Sequence, residues 1–337
     1  MSPRVLVRLL APVVALALGL TACGDAFHRP AALVNGLRIS DDELRAEVPL
    51  TKVLAALSRQ SGPCGAGAQG ESARATCSRV ALGLLIELDV VRPFADRHGV
   101  SVSEREISDT IERVRDPSSG LGSDQLDALL KRYGVTGGGF RRLVREQRFL
   151  GAVREAVAAA TLTEGQLRAA YEHHKLDFTE LHAAHILVGT EQEADRISAQ
   201  VTPENFAELA KKFSIDRGSG EQGGDLGTIP AGRLDTQFVQ GALALSPGEI
   251  SKPVQTQFGW HIIRLISVHT QPFEEVRGQL LAGLSDQAFN TWLTRQYRDG
   301  DIDVNPRYGR FDPASGGVVP LNSTSTSAAP TPSPAPS

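Results

Sequence analysis

The chain is 337 residues long, enough for two domains of about 150 residues each with appendages. Hydrophobic residues make up 41% and charged residues 22%, which excludes disorder over the whole length. The formal charge of −4 comes without a long basic run and argues against nucleic acid as a partner.

Residues 1–22 carry Arg4 and Arg8 and no acid, with an apolar stretch from Leu9 to Leu20. That stretch is shorter than the roughly 20 residues a bilayer-spanning helix needs, so it reads as an export signal. Leu20-Thr21-Ala22-Cys23 follows it and resembles the lipobox of bacterial lipoproteins. The resemblance implies that Cys23 becomes the acylated first residue of the mature chain, which is then lipid-anchored to the cell membrane on the extracytoplasmic side. Cys64 and Cys77 flank a Gly- and Ala-rich loop, and in an oxidising compartment two such cysteines pair. Two free thiols remain the competing reading, and a zinc pair lacks a nearby His.

Ala32 to Ile39 reads as two short strands around the turn Asn35-Gly36. From Ser40 the period becomes helical, with Leu44, Val48, Leu50, Val53 and Leu57 on one face, and Pro49 is expected to break or kink that helix. Further helices are expected over Arg79–Arg97, from the capping pair Ser103 and Glu106, over Ser123–Tyr133 before Gly134, from Phe140 to Val157, and from Thr163 with Gln166 to His173. These segments hold no catalytic constellation, and their apolar stripes read as core. The strand pair, Val100-Ser101-Val102-Ser103-Glu104 and Thr161-Leu162-Thr163-Glu164 together resemble the amino-terminal chaperone region of SurA-like and PrsA-like foldases.

Between Phe178 and Val268 five motifs follow in order. They are His182 to Val188, Asn205 to Ser214, Gly223-Gly224-Asp225-Leu226-Gly227, Ser246-Pro247-Gly248-Glu249-Ile250, and Phe258-Gly259-Trp260-His261-Ile262-Ile263. In this order and spacing they resemble the parvulin peptidyl-prolyl isomerases. A strand from Glu180 to Val188, helices from about Glu191 and Pro203, a strand over Asp225–Ile229, a helix around Phe238 and two closing strands form a small α+β domain.

The chemistry implied by that resemblance is rotation about an X-Pro bond, against a barrier of about 18–20 kcal/mol. No bond breaks, so the site needs an apolar cup for the proline ring and a floor that binds the twisted amide better than the planar one. The resemblance places the cup on Leu226, Leu234 and Phe238 with Phe258 at its rim, and the polar floor on His185, Asp216 and His261. Leu234 stands where the family carries Met, and Ile229 stands where it carries an aromatic residue. The first exchange nearly conserves volume, whereas the second removes a wall of the cup. No Arg/Lys cluster marks a phosphate-directed site. A zinc set of His182, His185, His261 and His269 fails because alternate strand residues face opposite ways, and a calcium loop over Asp216–Gly227 lacks side-chain oxygens at Gly218, Gly220 and Gly227. No metal and no cofactor are expected. The competing reading keeps His185 and His261 as satisfied core histidines in a domain that binds polypeptide without catalysis.

After the motifs, Phe273 to Tyr297 is a long amphipathic helix, and Ile302, Val304, Tyr308 and Phe311 alternate. Asp301–Arg310 is expected to pair with Ala32–Ile39, returning the chain to its beginning. The domain expectation is therefore a signal at 1–22, a helical chaperone-like region at 31–177, an inserted parvulin-like domain with a four-stranded antiparallel sheet at 178–268, a returning helix and strand at 270–312, and a disordered Ser/Thr/Pro/Ala tail at 313–337. The function expected is an extracytoplasmic foldase that holds unfolded exported polypeptides and accelerates isomerisation of their X-Pro bonds.

Overall fold

The computed structural model describes residues 29–58, 64, 71–119 and 121–323. The export signal, Cys23 and the end of the tail lie outside the described residues. The described residues form two compact units, one made of those up to Leu150 with those from Leu293 onward, the other of Gly151–Trp292.

In the first unit, β1 (Ala32–Val34) and β2 (Leu37–Ile39) pair antiparallel around Asn35 and Gly36, both at positive φ as a tight two-residue turn requires. Helix α1 (Asp41–Leu57) starts at a reciprocal cap, in which the Ser40 hydroxyl accepts from the Glu43 N–H and the Glu43 carboxylate accepts from the Ser40 N–H. It runs through Pro49, against the expected break. Proline removes one helical donor, while Leu44, Leu50 and Val53 on both sides of it are buried and hold the helix against its neighbours.

Helix α2 (Ala73–His98), capped by Ser72, begins six residues before the expected Arg79 and stops at left-handed Gly99. Cys64 and Cys77 are joined in a disulfide. Helix α3 (Glu104–Arg115) opens on the Ser103–Glu106 box, α4 (Gly122–Tyr133) closes on left-handed Gly134, and α5 is Gly137–Thr161. Leu50, Val53, Ile107, Leu126, Phe140 and Leu143 form their common core. Between α1 and α5 the fully buried Glu47 is paired with Arg142, which also holds Glu146 at 2.7 Å. Burial, reinforced by Glu146, pushes the Glu47 carboxyl up to about 7.

In the second unit, α6 (Glu164–His173) follows the Thr163–Gln166 box. Then come β3 (Thr179–Val188), α7 (Glu191–Ser198), α8 (Phe206–Phe213), the single turn α9 (Arg217–Gly220), β4 (Asp225–Pro230), α10 (Thr236–Leu243), β5 (Val254–Thr256) and β6 (Gly259–Thr270). The four strands form one antiparallel sheet in the order β4-β3-β6-β5. Alternation along β3 sends Leu181 and Ala183 to a cluster with Phe238, Ile263 and Leu265, and Ala184, Ile186 and Val188 to the opposite cluster with Phe206 and Ile197. The expected strands at Glu180–Val188 and Asp225–Ile229 and the helices from about Glu191, Pro203 and around Phe238 are each present to within a few residues, whereas the turn α9 had no counterpart in the sequence reading.

Helix α11 (Phe273–Asp299) leads out of the sheet. Its start packs Phe273, Val276 and Leu280 on Leu167, Tyr171 and Phe178. The compact unit is thus wider than the expected 178–268, because Tyr171 and Phe178 stack on one another and Phe273 meets Tyr171 edge-on.

Back in the first unit, β7 (Ile302–Val304) pairs with β1, Ala32 opposite Val304, in the order β2-β1-β7. Only these three residues of the expected Asp301–Arg310 join that sheet. β8 (Arg310–Asp312) pairs instead with β9 (Gly317–Val319), so the chain stays ordered past residue 312, where a disordered tail was expected. The small residues 313–317 are a tight loop: the Gly316 N–H donates to the Asp312 carbonyl, the Ser315 hydroxyl donates to the Asp312 carboxylate, and Val318 is buried. No described helix is long and apolar enough to cross a membrane.

Candidate active site

His185 lies on the same face of β3 as Leu181 and Ala183, and the β3–β6 register places His261 diagonally beside it, opposite Leu187. The two imidazoles meet Nδ1 to Nδ1 at 3.0 Å, and both are buried. Beyond His185, its Nε2 lies 2.9 Å from Asp216 Oδ2 and 3.0 Å from the Ser219 hydroxyl. Beyond His261, its Nε2 lies 2.8 Å from the Thr256 hydroxyl. Asp216 and Ser219 belong to the turn of α9, where Asp216 also accepts from the Gly218 N–H and Ser219 donates to Asp216.

These contacts fix a direction. Hydrogen bonds from the Ser219 hydroxyl and His185 bring the Asp216 carboxyl down to about 2, so it is an anion and only accepts. Burial lowers His185, and burial together with the adjacent His185 brings His261 down to about 4, so both rings are neutral at pH 7. Neutral His185 then donates from Nε2 to Asp216 and accepts at Nδ1 from His261, whose Nε2 accepts from the Thr256 hydroxyl. The Phe258 N–H donates to Thr256 Oγ1 at 3.1 Å and closes the chain. Every polar atom in this floor has a partner, and no proton is left to choose.

Phe238 sits over the floor, edge-on to His261 at 5.3 Å and to His185 at 6.0 Å between ring centroids. Leu226 and Leu234, both half-buried, pack against the same cluster. Asp225 lies opposite Ala184 and Thr228 opposite His182, so Leu226 and Gly227 together face Ala183 alone. This bulge puts Leu226 and Ile229, three residues apart, on one face of β4, with Ile229 opposite Leu181. Phe258 is 63% exposed on the turn between β5 and β6. Gly224 brings β4 against β3: its carbonyl accepts from the His185 N–H, and a Cβ there would lie 2.3 Å from the His185 carbonyl oxygen.

The structure brings together His185, Asp216, His261 and Phe238, flanked by Leu226, Leu234, Ile229 and Phe258. Sequence reasoning missed Ser219 and Thr256. The only signal for them is a hydroxyl residue three positions after the candidate Asp and five before the candidate His. His182 faces away and pairs with Asp225 at 2.9 Å.

Residues 185–267 match the family described as the PPIC-type PPIASE domain, and residues 3–154 match the SurA-like N-terminal domain. The chain is 39% identical over 137 residues to Foldase protein PrsA of Caldanaerobacter subterraneus subsp. tengcongensis, covering 40% of this chain and 45% of that protein. It is 35% identical over 162 residues to Foldase protein PrsA 1 of Bacillus cereus, covering 46% of this chain and 54% of that protein. The chain thus spans about half the length of these curated relatives. A crystal structure of a peptidylprolyl isomerase (PrsA) from Bacillus anthracis is 31% identical, covering 61% of this chain and 88% of that one at a TM-score of 0.31. With a four-stranded antiparallel sheet carrying the paired histidines, the chain belongs over residues 185–267 to the PPIC-type, parvulin-like peptidyl-prolyl isomerase domains, preceded by a SurA-like amino-terminal domain.

Proposed function

We propose that the protein is an extracytoplasmic foldase that accelerates cis-trans isomerisation of X-Pro bonds in exported polypeptides, with a helical region that holds them while they fold. The observation that carries this reading is the continuous chain Thr256–His261–His185–Asp216 beneath the buried ring of Phe238. A planar amide is the more polar form, because resonance separates its charge, and it is the form that water solvates better. A proline ring seated against Phe238, Leu226 and Leu234 withdraws the amide from water and so favours the twisted geometry, which has less hydration to lose. The floor needs no proton transfer for this. Its neutral, fully satisfied rings supply a rigid polar surface that does not reorganise during rotation. Ile229 keeps the wall of the cup apolar where the family carries an aromatic residue.

The lipobox supports anchoring through Cys23 to the outer face of the cell membrane, with the holding region and the isomerase domain outside the cytoplasm. Cys23→Ala should leave the precursor uncleaved or release the protein from the membrane fraction, and unchanged mass and partition in that variant would overturn the anchor. The catalytic reading is tested on a denatured protein whose refolding is limited by a cis proline. Catalytic amounts of the wild-type chain should speed the slow phase, and Phe238→Ala should abolish that acceleration while circular dichroism stays native. A slow phase unchanged by the wild-type chain would leave polypeptide binding alone.

A further inference from the structure

The unit that lacks the paired histidines holds a second constellation, which isomerisation does not use. Arg45, Val48, Pro49 and Lys52 recur at helical spacing along α1 and share one face of it. That face lines a cavity of about 410 Å³ between α1, the start of α2 and the end of α4. Arg74 and Ser78, one turn apart on α2, and Tyr133, the last residue of α4, line it from the other sides. No carboxylate is among the lining residues. Arg45 is paired with Asp42 on the surface. Lys52, Arg74 and the hydroxyls of Ser78 and Tyr133 have no hydrogen-bond or ion-pair partner among the described residues. Four donors without an acceptor thus meet in one concave place, in a chain whose net charge is −4.

We propose that this cavity binds the phosphate group of an anionic lipid headgroup. Lys52 and Arg74 supply positive charge from two different helices, Arg74 as a planar fork that suits two phosphate oxygens and Lys52 as a point charge. The Ser78 and Tyr133 hydroxyls serve the remaining oxygens. Val48 and Pro49 give the same cavity an apolar wall, on which the glycerol carbons next to a lipid phosphate leave water. A carboxylate, with two oxygens, satisfies fewer of these donors. Chain length favours a lipid over free phosphate as the source. Cys23 precedes β1 by nine residues, which span at most roughly 30 Å, so an anchored chain keeps this unit at the headgroup surface. That step rests on the anchoring proposed above, whereas the affinity of the cavity does not.

The test uses the chain from Gly24 onward, which keeps every described residue and has no acyl chain to hold it on a membrane. Flotation with phosphatidylcholine vesicles, with and without phosphatidylglycerol, measures its binding at about 0.1 M salt. The chain should bind the phosphatidylglycerol vesicles and not the others, and glycerol phosphate should compete where glutamate at equal ionic strength does not. Replacing Lys52 and Arg74 together by Gln should weaken binding by about tenfold or more. The same exchange at the exposed Arg97 and Arg105, which line no part of the cavity, removes equal charge and should change binding less than about twofold. Tyr133→Phe leaves the charge alone and should weaken binding about threefold, a second reading if the double variant fails to fold. Peptide isomerisation should be the same in all variants. Equal losses from the two Gln pairs, no loss from the Lys52 and Arg74 pair, or competition by glutamate overturns the site. Amide shifts of Lys52 and Arg74 with inorganic phosphate but no vesicle binding overturn the lipid as its source. None of these results touches the anchor, which the Cys23→Ala partition decides by itself.

Discussion

His261 is neutral in the fold because burial and His185 hold its pKa at about 4, well below the usual 6.5. A base depressed in this way leaves its full contribution to stability in place above pH 6.5. That contribution is lost as pH falls from 6.5 towards 4, because the unfolded chain takes up the proton first. Asp216, lowered to about 2, adds a loss of the same sign below pH 3.8. Glu47 behaves oppositely. Its carboxyl, pushed up to about 7, contributes most below pH 4.5 and loses that contribution as pH rises to 7. Because Arg142 keeps Glu146 as partner, Glu47→Gln should raise stability by about 1–2 kcal/mol at pH 8 and by clearly less at pH 5, read from denaturant midpoints. A destabilised Gln variant at pH 8 would show that the buried ion pair is net favourable. His185 and His261 were legible because each sits inside a motif with its own spacing, and Asp216 and Phe238 were legible through the resemblance those motifs carry. Ser219 and Thr256 were not, since hydroxyl residues are common in turns and only α9 and the β5–β6 hairpin assign them their partners.

At the scale of elements, Gly224 just before β4 and Gly227 in its bulge separate close approach from backbone geometry. Gly224 and Gly227 both have positive φ, but a Cβ at Gly224 meets the His185 carbonyl while one at Gly227 meets nothing within 4 Å. Gly227→Ala should cost about 1–2 kcal/mol, the ordinary left-handed penalty. Gly224→Ala should cost well beyond that, about 3 kcal/mol or more, and shift the His185 ring resonances. Equal costs at the two positions would contradict the close packing of β4 on β3. Elements with local signals were readable in advance: the Ser103–Glu106 and Thr163–Gln166 capping boxes, the Asn35-Gly36 turn and the Gly134 stop after α4 depend on residues three or four apart at most. The β8–β9 hairpin was not, because residues 313–317 have the composition of a tail and Val318 is buried only once the chain has returned. The continuity of α1 through Pro49 was hidden for the same reason, since its packing partners lie on distant helices.

At the scale of the molecule, the two units carry opposite acid responses, and the chain separates them optically. Its two tryptophans, Trp260 and Trp292, both fall in the unit Gly151–Trp292, whereas helices in both units contribute to far-ultraviolet circular dichroism. From pH 7 to pH 5 the melting midpoint followed by tryptophan fluorescence should fall, while part of the circular dichroism change should stay at higher temperature. Coincident, unshifted curves would contradict the neutral-histidine network. That network also bears on the central claim, that the paired histidines under Phe238 make this chain a prolyl isomerase. The most direct measurement is two-dimensional NMR exchange on an Ala-Leu-Pro-Phe peptide with a small molar fraction of the full chain at pH 7. The account predicts cis-trans cross-peaks within seconds with the wild-type chain and their loss with folded Phe238→Ala or His261→Ala. Cross-peaks no stronger than in peptide alone, from a wild-type chain with native circular dichroism, would contradict it.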